Sequence, residues 1–262
     1  MSYKILHHQI TVFTLMTAFL IGCTNAPIEN FSTSTPAPFT KTPIVKTSVP
    51  PSTFTPEPHT YGFPDSIDPS RQYLFYLHGK IIEDQGIPAI SPDYGEYQYQ
   101  EILETLSGYG FVVISEQRPK NADGMEYARK VSEQVTALLE AGVPPKDITV
   151  VGASKGAGIA IFASHLLENK AINFVIMGIC HPDEVVRLKQ AGVSLSGNVL
   201  SIYDSSDIYA GSCMDLFEYS EGKGLSKADE ILLEIGSGHG ILYQPLEEWI
   251  KPTVDWANQN TP

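Results

Sequence analysis

The chain has 262 residues, a formal net charge of −13 at pH 7, 10% aromatic residues and three cysteines. That length supports one sizeable core without staples, and the acidity argues against nucleic acid or an anionic lipid surface as an electrostatic partner. Cys23, Cys180 and Cys213 stand apart, with no CxxC spacing or clustered histidines, which argues against a disulfide framework and leaves no expected metal site.

The first element in chain order is a short polar start carrying Lys4, followed by the uncharged run Ile10 to Ile21, ITVFTLMTAFLI. A dozen residues fall short of the roughly 20 that a helix needs to span a bilayer, and their size and order match a secretory signal peptide. The run ends in Leu20-Ile21-Gly22-Cys23, which resembles the bacterial lipobox. That resemblance implies cleavage before Cys23, a diacylglyceryl group on its thiol, and an exported protein anchored in a cell-envelope membrane. Residues 1–22 are thus expected to be a leader. Residues 24–60 contain 8 prolines, 9 threonines and 4 serines with almost no apolar periodicity. Such a stretch cannot bury enough surface to offset the entropy of ordering it. Residues 23–60 are therefore expected to form a solvated tether, and residues 61–262 the folded domain.

From Tyr61 apolar runs alternate with helical periods, the pattern of a mostly parallel α/β sheet with helices on both faces. Strands are predicted at Gln72–His78, Phe111–Ser115, Ile148–Gly152, Asn173–Ile179, Asn198–Tyr203 and Ile231–Ile235. Helices are predicted at Tyr97–Leu106, Met125–Ala141, Gly156–Leu167, Pro182–Gln190 and Pro245–Asn258. In the second of these, Tyr127, Val131, Val135 and Leu138 or Leu139 recur at three- and four-residue steps. Cys180 ends one strand and Cys213 follows the next, so the two could meet at one sheet edge and pair if the protein is exported.

The strongest chemical signal is Gly152-Ala153-Ser154-Lys155-Gly156, a G-x-S-x-G motif between a predicted strand and a predicted helix. The pentapeptide alone is weak, and a glycine-rich turn capped by serine would look the same. Its strand-to-helix placement gives it weight, because a nucleophilic serine must sit on a tight turn where side chains two residues to either side would collide. Gly158 is expected to ease packing of the helix on the sheet. A serine nucleophile needs a base, and the base needs an orienting acid. Of the three later histidines, His165 lies inside a helix and His181 at a helix start. His239 sits in a glycine-rich loop after the last strand, where a base must reach over the sheet edge. Asp207 is the better placed acid, with Asp204 the alternative and Asp183 a remote third. One oxyanion donor should be the backbone N–H of Lys155. The other should come from the loop after Leu77-His78-Gly79-Lys80.

Gln72 to Asn258 resembles the α/β-hydrolase superfamily, nearest its dienelactone-hydrolase and carboxylesterase branches. The resemblance carried by His78-Gly79, Gly152–Gly156, Asp207 and His239 implies the Lys80 N–H as second oxyanion donor and His78 as a structural residue. It also implies a small-molecule ester as substrate and no cofactor. Peptidase chemistry on the same residues and a catalytically silent binding protein are the competing readings. Two departures stand out. Residues 61–71 are too few for the family's first two strands, and the short span between Ile179 and Asn198 leaves no room for a cap domain.

Overall fold

The computed structural model describes residues 61–258. The leader, Cys23 and the tether lie outside them. Six parallel strands form one sheet: β1 (Tyr73–Leu77), β4 (Val112–Ile114), β5 (Ile148–Ala153), β6 (Asn173–Met177), β7 (Gly197–Asp204) and β8 (Leu225–Leu233), in the order β4-β1-β5-β6-β7-β8. The arrangement is that of an α/β-hydrolase fold, and among the described residues no strand precedes β1. A separate antiparallel pair, β2 (Ile90–Ser91) and β3 (Gly95–Glu96), follows the first helix. The helices are α1 (Lys80–Gln85), α2 (Tyr99–Gly108), α3 (Gly124–Glu140), α4 (Lys155–Leu167), α5 (Pro182–Gln190), α6 (Met214–Ser220) and α7 (Glu247–Asn258).

Period-2 alternation divides the strands between two cores, because successive side chains leave opposite faces of a sheet. Phe75, Val150, Phe174 and Val199 join Val131, Val135 and Leu138 of α3, the buried face of α4 and Leu216 and Phe217 of α6. Tyr76, Val151, Val175 and Leu200 join Ile102 and Leu106 of α2 and Trp249, Val254 and Trp256 of α7. Parallel strands covered on both faces read as continuous apolar runs, which is why β1, β5 and β6 are wholly buried and visible in the sequence. Helix α3 starts where Asp123 accepts a hydrogen bond from the Glu126 N–H, filling one of the donors that a helix start leaves open.

The differences from the sequence reading have simple causes. β8 begins six residues before Ile231 because it is an edge strand: Ser226, Lys227 and Asp229 are exposed, and their polarity masks the strand pattern. Tyr97 is not helical; α2 begins at Tyr99, leaving Tyr97 free to turn its ring toward the catalytic edge of the sheet. α1, α6 and the β2–β3 pair were not anticipated, being too short to show a period. The connection from β6 to β7 carries α5 alone, so no cap domain covers the site from there.

Candidate active site

β5 delivers Ser154 at the carboxyl end of the sheet in a conformation that non-glycine residues rarely adopt, φ 53° and ψ −116°. The turn is held by sterics and by the Ser154 N–H donating to the Met177 carbonyl at the end of β6 (2.9 Å). A Cβ on Gly152 would stand 2.4 Å from the Gly156 carbonyl oxygen, and one on Gly156 would stand 1.8 Å from that of Leu77. Both glycines are therefore demanded by close backbone approach. Gly158 is not: a Cβ there meets nothing within 4 Å, so its expected packing role is absent.

Within the glycine-rich segment after β8, His239 stands on a short 3-10 turn, Gly238–Leu242. Its Nε2 lies 2.9 Å from Ser154 Oγ and its Nδ1 lies 2.7 Å from Asp207 Oδ2. With Nδ1 donating to the carboxylate, Nε2 is left to accept from the serine hydroxyl. The Asp207 side chain is fully buried and that of His239 is 13% exposed. Ser154, Asp207 and His239 are thus brought together; Asp183 is not, standing in the first turn of α5 behind His181, which accepts a bond from the Asp183 N–H.

Asp204 does different work. Its Oδ1 accepts from the Ser206 N–H (2.9 Å), the Ser206 hydroxyl (2.5 Å) and the Gly238 N–H (3.1 Å), and its Oδ2 accepts from the Ile235 N–H (3.2 Å). Burial opposes its ionisation, but these bonds outweigh burial and hold the carboxyl below its ordinary range. Asp204 therefore ties the loop that carries Asp207 to the turn that carries His239. The same acid-bearing loop is fastened by a Cys180–Cys213 disulfide, by the Gly211 N–H donating to the Ile179 carbonyl (2.9 Å), and by a β-bridge between Cys180 and Ala210.

Helices α1 and α4 both begin beside Ser154. A Cβ on Gly79, the residue before α1, would lie 3.7 Å from Ser154 Cβ. The Lys80 and Lys155 N–H groups are the first in their helices and so have no intrahelical partner. An ion network invisible in the sequence joins these two helix starts. Buried Glu83 of α1 accepts from Arg118 Nε (2.7 Å) and Lys155 Nζ (2.5 Å), and Lys155 also donates to the Ala122 carbonyl (2.6 Å). Arg118 in turn grips the His78 carbonyl through Nη2. His78 accepts the Arg118 N–H at Nε2 (3.0 Å), so its proton sits on Nδ1, facing the Gly79 carbonyl (2.8 Å). Burial, aided by the Arg118 charge, pushes His78 down to about 3, and it stays neutral. His78 is thus buried and hydrogen-bonded away from Ser154, as the expected structural role requires.

The hollow over Ser154 has a volume of about 300 Å³ and is lined by Ile81, Tyr97, Tyr209, Leu242 and Tyr243. Tyr94 of the β2–β3 turn leans on Gly240, where an added Cβ would meet its ring at 3.0 Å. The sequence reading missed these tyrosines. Only Tyr209, two residues after the acid, carried a positional hint. Among the described residues no group of three or more His, Cys, Asp or Glu is placed to hold a metal ion.

No protein-family model matches the chain. A comparison with curated proteins likewise finds no match. Solved structures do. SOBER1 of Arabidopsis thaliana superposes with a TM-score of 0.50 at 12% identity, over 72% of this chain and 99% of that one. A CIB-like hydrolase from Thermoplasma acidophilum gives 0.48 at 18% identity, over 74% and 89%. MGS-M1, an α/β hydrolase from a Medee basin deep-sea metagenome library, gives 0.47 at 13%, over 73% and 85%. At such identities the likeness is one of fold.

Proposed function

We propose that the protein is a serine hydrolase that cleaves a carboxylic ester through an acyl-enzyme intermediate. The observation that carries this reading is the unbroken line Ser154 Oγ–His239–Asp207, with links of 2.9 and 2.7 Å drawn from three separate segments of the chain. Ser154 Oγ attacks the carbonyl carbon as its proton passes to His239 Nε2, and Asp207 orients the ring and stabilises the imidazolium. The oxyanion is held by the Lys80 and Lys155 N–H groups. Collapse breaks the bond to the alcohol, which leaves with the proton from His239. Water then enters and gives its proton to His239 as it attacks the acyl carbon, and the acid leaves as His239 returns that proton to Ser154 Oγ. The ion network of Glu83, Arg118 and Lys155 supports this role, since it holds the two oxyanion donors in one frame before substrate arrives.

The lipobox-like segment supports a second part of the proposal: export, with Cys23 lipidated and the domain tethered to a cell-envelope membrane. The tests are direct. The wild-type domain should hydrolyse p-nitrophenyl acetate, and a fluorophosphonate should label the peptide containing Ser154. Ser154→Ala and His239→Ala should each abolish turnover with an unchanged circular dichroism spectrum. Full esterase activity in Ser154→Ala would refute the mechanism. For the anchor, the mature protein should partition into detergent and Cys23→Ser should not. An unmodified N-terminus beginning elsewhere would remove the anchor and leave the chemistry untouched.

A further inference from the structure

Ile208 and Tyr209 directly follow Asp207 and are 75% and 59% exposed. Two large side chains left open side by side beside the hollow offer a surface that a ligand can cover. Tyr209 is a wall shared by two hollows. One holds Ser154; the other, of about 330 Å³, is lined by Ile208 and Tyr209 with Ile179, His181, Glu184 and Arg187. The backbone beneath this platform is pinned: the Tyr209 N–H donates to Asp207 Oδ1 (2.9 Å), and the disulfide and bridge fasten the loop just beyond. A preformed aromatic surface binds with little ordering cost.

The chemistry assigns each half of the substrate to a side. The imidazole that protonates the departing alcohol must face it, and Tyr209 stands edge-on to the His239 ring with centroids 5.6 Å apart. The alcohol is therefore placed across Tyr209 and Ile208 toward the second hollow, and the acyl group on the remaining lining of the first. Arg187 pairs with Glu184, and Asp183 adds a second carboxylate 3.9 Å from His181, leaving many donors and acceptors but no excess cation to receive an anionic alcohol. A ring with apolar C–H faces and a rim of hydroxyls satisfies both an aromatic platform and such walls.

We propose that the alcohol half of the substrate is a neutral glycan, so that the enzyme removes an acyl group from a sugar hydroxyl, with Tyr209 as the platform for the sugar ring beside the ester. This rests on the esterase reading, and the experiment separates the two. Wild-type protein, Tyr209→Ala and Arg187→Ala are assayed on p-nitrophenyl acetate, ethyl acetate, acetylcholine and partially O-acetylated xylotetraose. Wild-type kcat/KM on the acetylated xylotetraose should exceed that on ethyl acetate by about 100-fold or more. Tyr209→Ala should lower the xylotetraose value about tenfold more than the p-nitrophenyl acetate value, mainly through KM. Arg187→Ala should act in the same sense, more weakly. Equal losses on both substrates in Tyr209→Ala would mean that the ring serves only to hold His239, and would overturn the platform. A preference for ethyl acetate or acetylcholine over the xylotetraose ester would overturn the glycan assignment. Absence of wild-type turnover on p-nitrophenyl acetate would instead remove the esterase reading beneath it.

Discussion

The two halves of the site are held by different physics. On one side, β5, Ser154 and α4 form a turn whose shape follows from steric exclusion among neighbours in sequence and one crossing backbone. On the other, Asp207 and His239 come from segments about thirty residues apart, joined by the Asp204 carboxylate and backed by a disulfide. The Ser154 side is fixed by close backbone approach at Gly152 and Gly156. The acid–base side is a set of replaceable ties, and the loop it fastens also presents Tyr209 and Ile208. Rigidity at the nucleophile thus coexists with a margin that substitution can retune.

Substitutions can break that contrast. The largest effect is expected from Asp207→Asn, which keeps the shape of the loop but deprives His239 of its partner. Turnover of p-nitrophenyl acetate should fall by about 10⁴-fold with the melting temperature nearly unchanged. Comparable loss from Asp204→Asn alone, without destabilisation, would mean that Asp204 acts in the chemistry and not in the loop. Next in size is Gly156→Ala, whose Cβ would be driven to 1.8 Å from a backbone oxygen. Destabilisation by more than about 4 kcal/mol, read by urea unfolding, or failure to fold is expected.

Removing the disulfide probes the other side. Cys180 and Cys213 close a loop of sequence separation 33, so Cys180→Ser/Cys213→Ser should cost about 3–4 kcal/mol. Fluorophosphonate labelling of Ser154 should slow but persist, because the elbow does not depend on that bond. A labelling rate equal to wild type would show that the acid loop holds its shape unaided.

A smaller effect concerns pH. His78 is neutral in the fold at about 3, against roughly 6.5 in an unfolded chain. Between those values the unfolded state binds more protons, so its contribution favours folding above the unfolded value and is lost as pH falls through the window. The slope should be about 1.4 kcal/mol per pH unit below pH 6.5. In His78→Asn that slope should flatten between pH 6.5 and 4.5, which urea titrations at three pH values would measure. The smallest effect is Gly158→Ala, which meets open space and gains helix propensity. It should stabilise by about 0.5–1 kcal/mol without changing turnover, the opposite of its neighbour two residues before.

Much of this molecule was legible because its signals are local. Buried parallel strands must be apolar throughout, so β1, β5 and β6 stand out; a turn packed as tightly as that at Ser154 needs glycines two residues to either side, so it announces itself; and a base for Ser154 would have to follow the last strand, which singled out His239, the histidine found 2.9 Å from Ser154 Oγ. Asp207 and Asp204 were separable only as a preference. The backbone donors that capture Asp204 belong to Ile235 and Gly238, some thirty residues away, and their direction is set by how two loops pack. The network of Glu83, Arg118 and Lys155 left no trace in the chain, since buried ionic partners follow no sequence period. The start of β8 was hidden by the polarity of an edge strand, and the placement of Tyr97, Tyr209 and Tyr243 around Ser154 by the lack of any period in loops. Spacing along a chain determines what an element must bury; which distant groups then meet is decided by the packing of elements against one another.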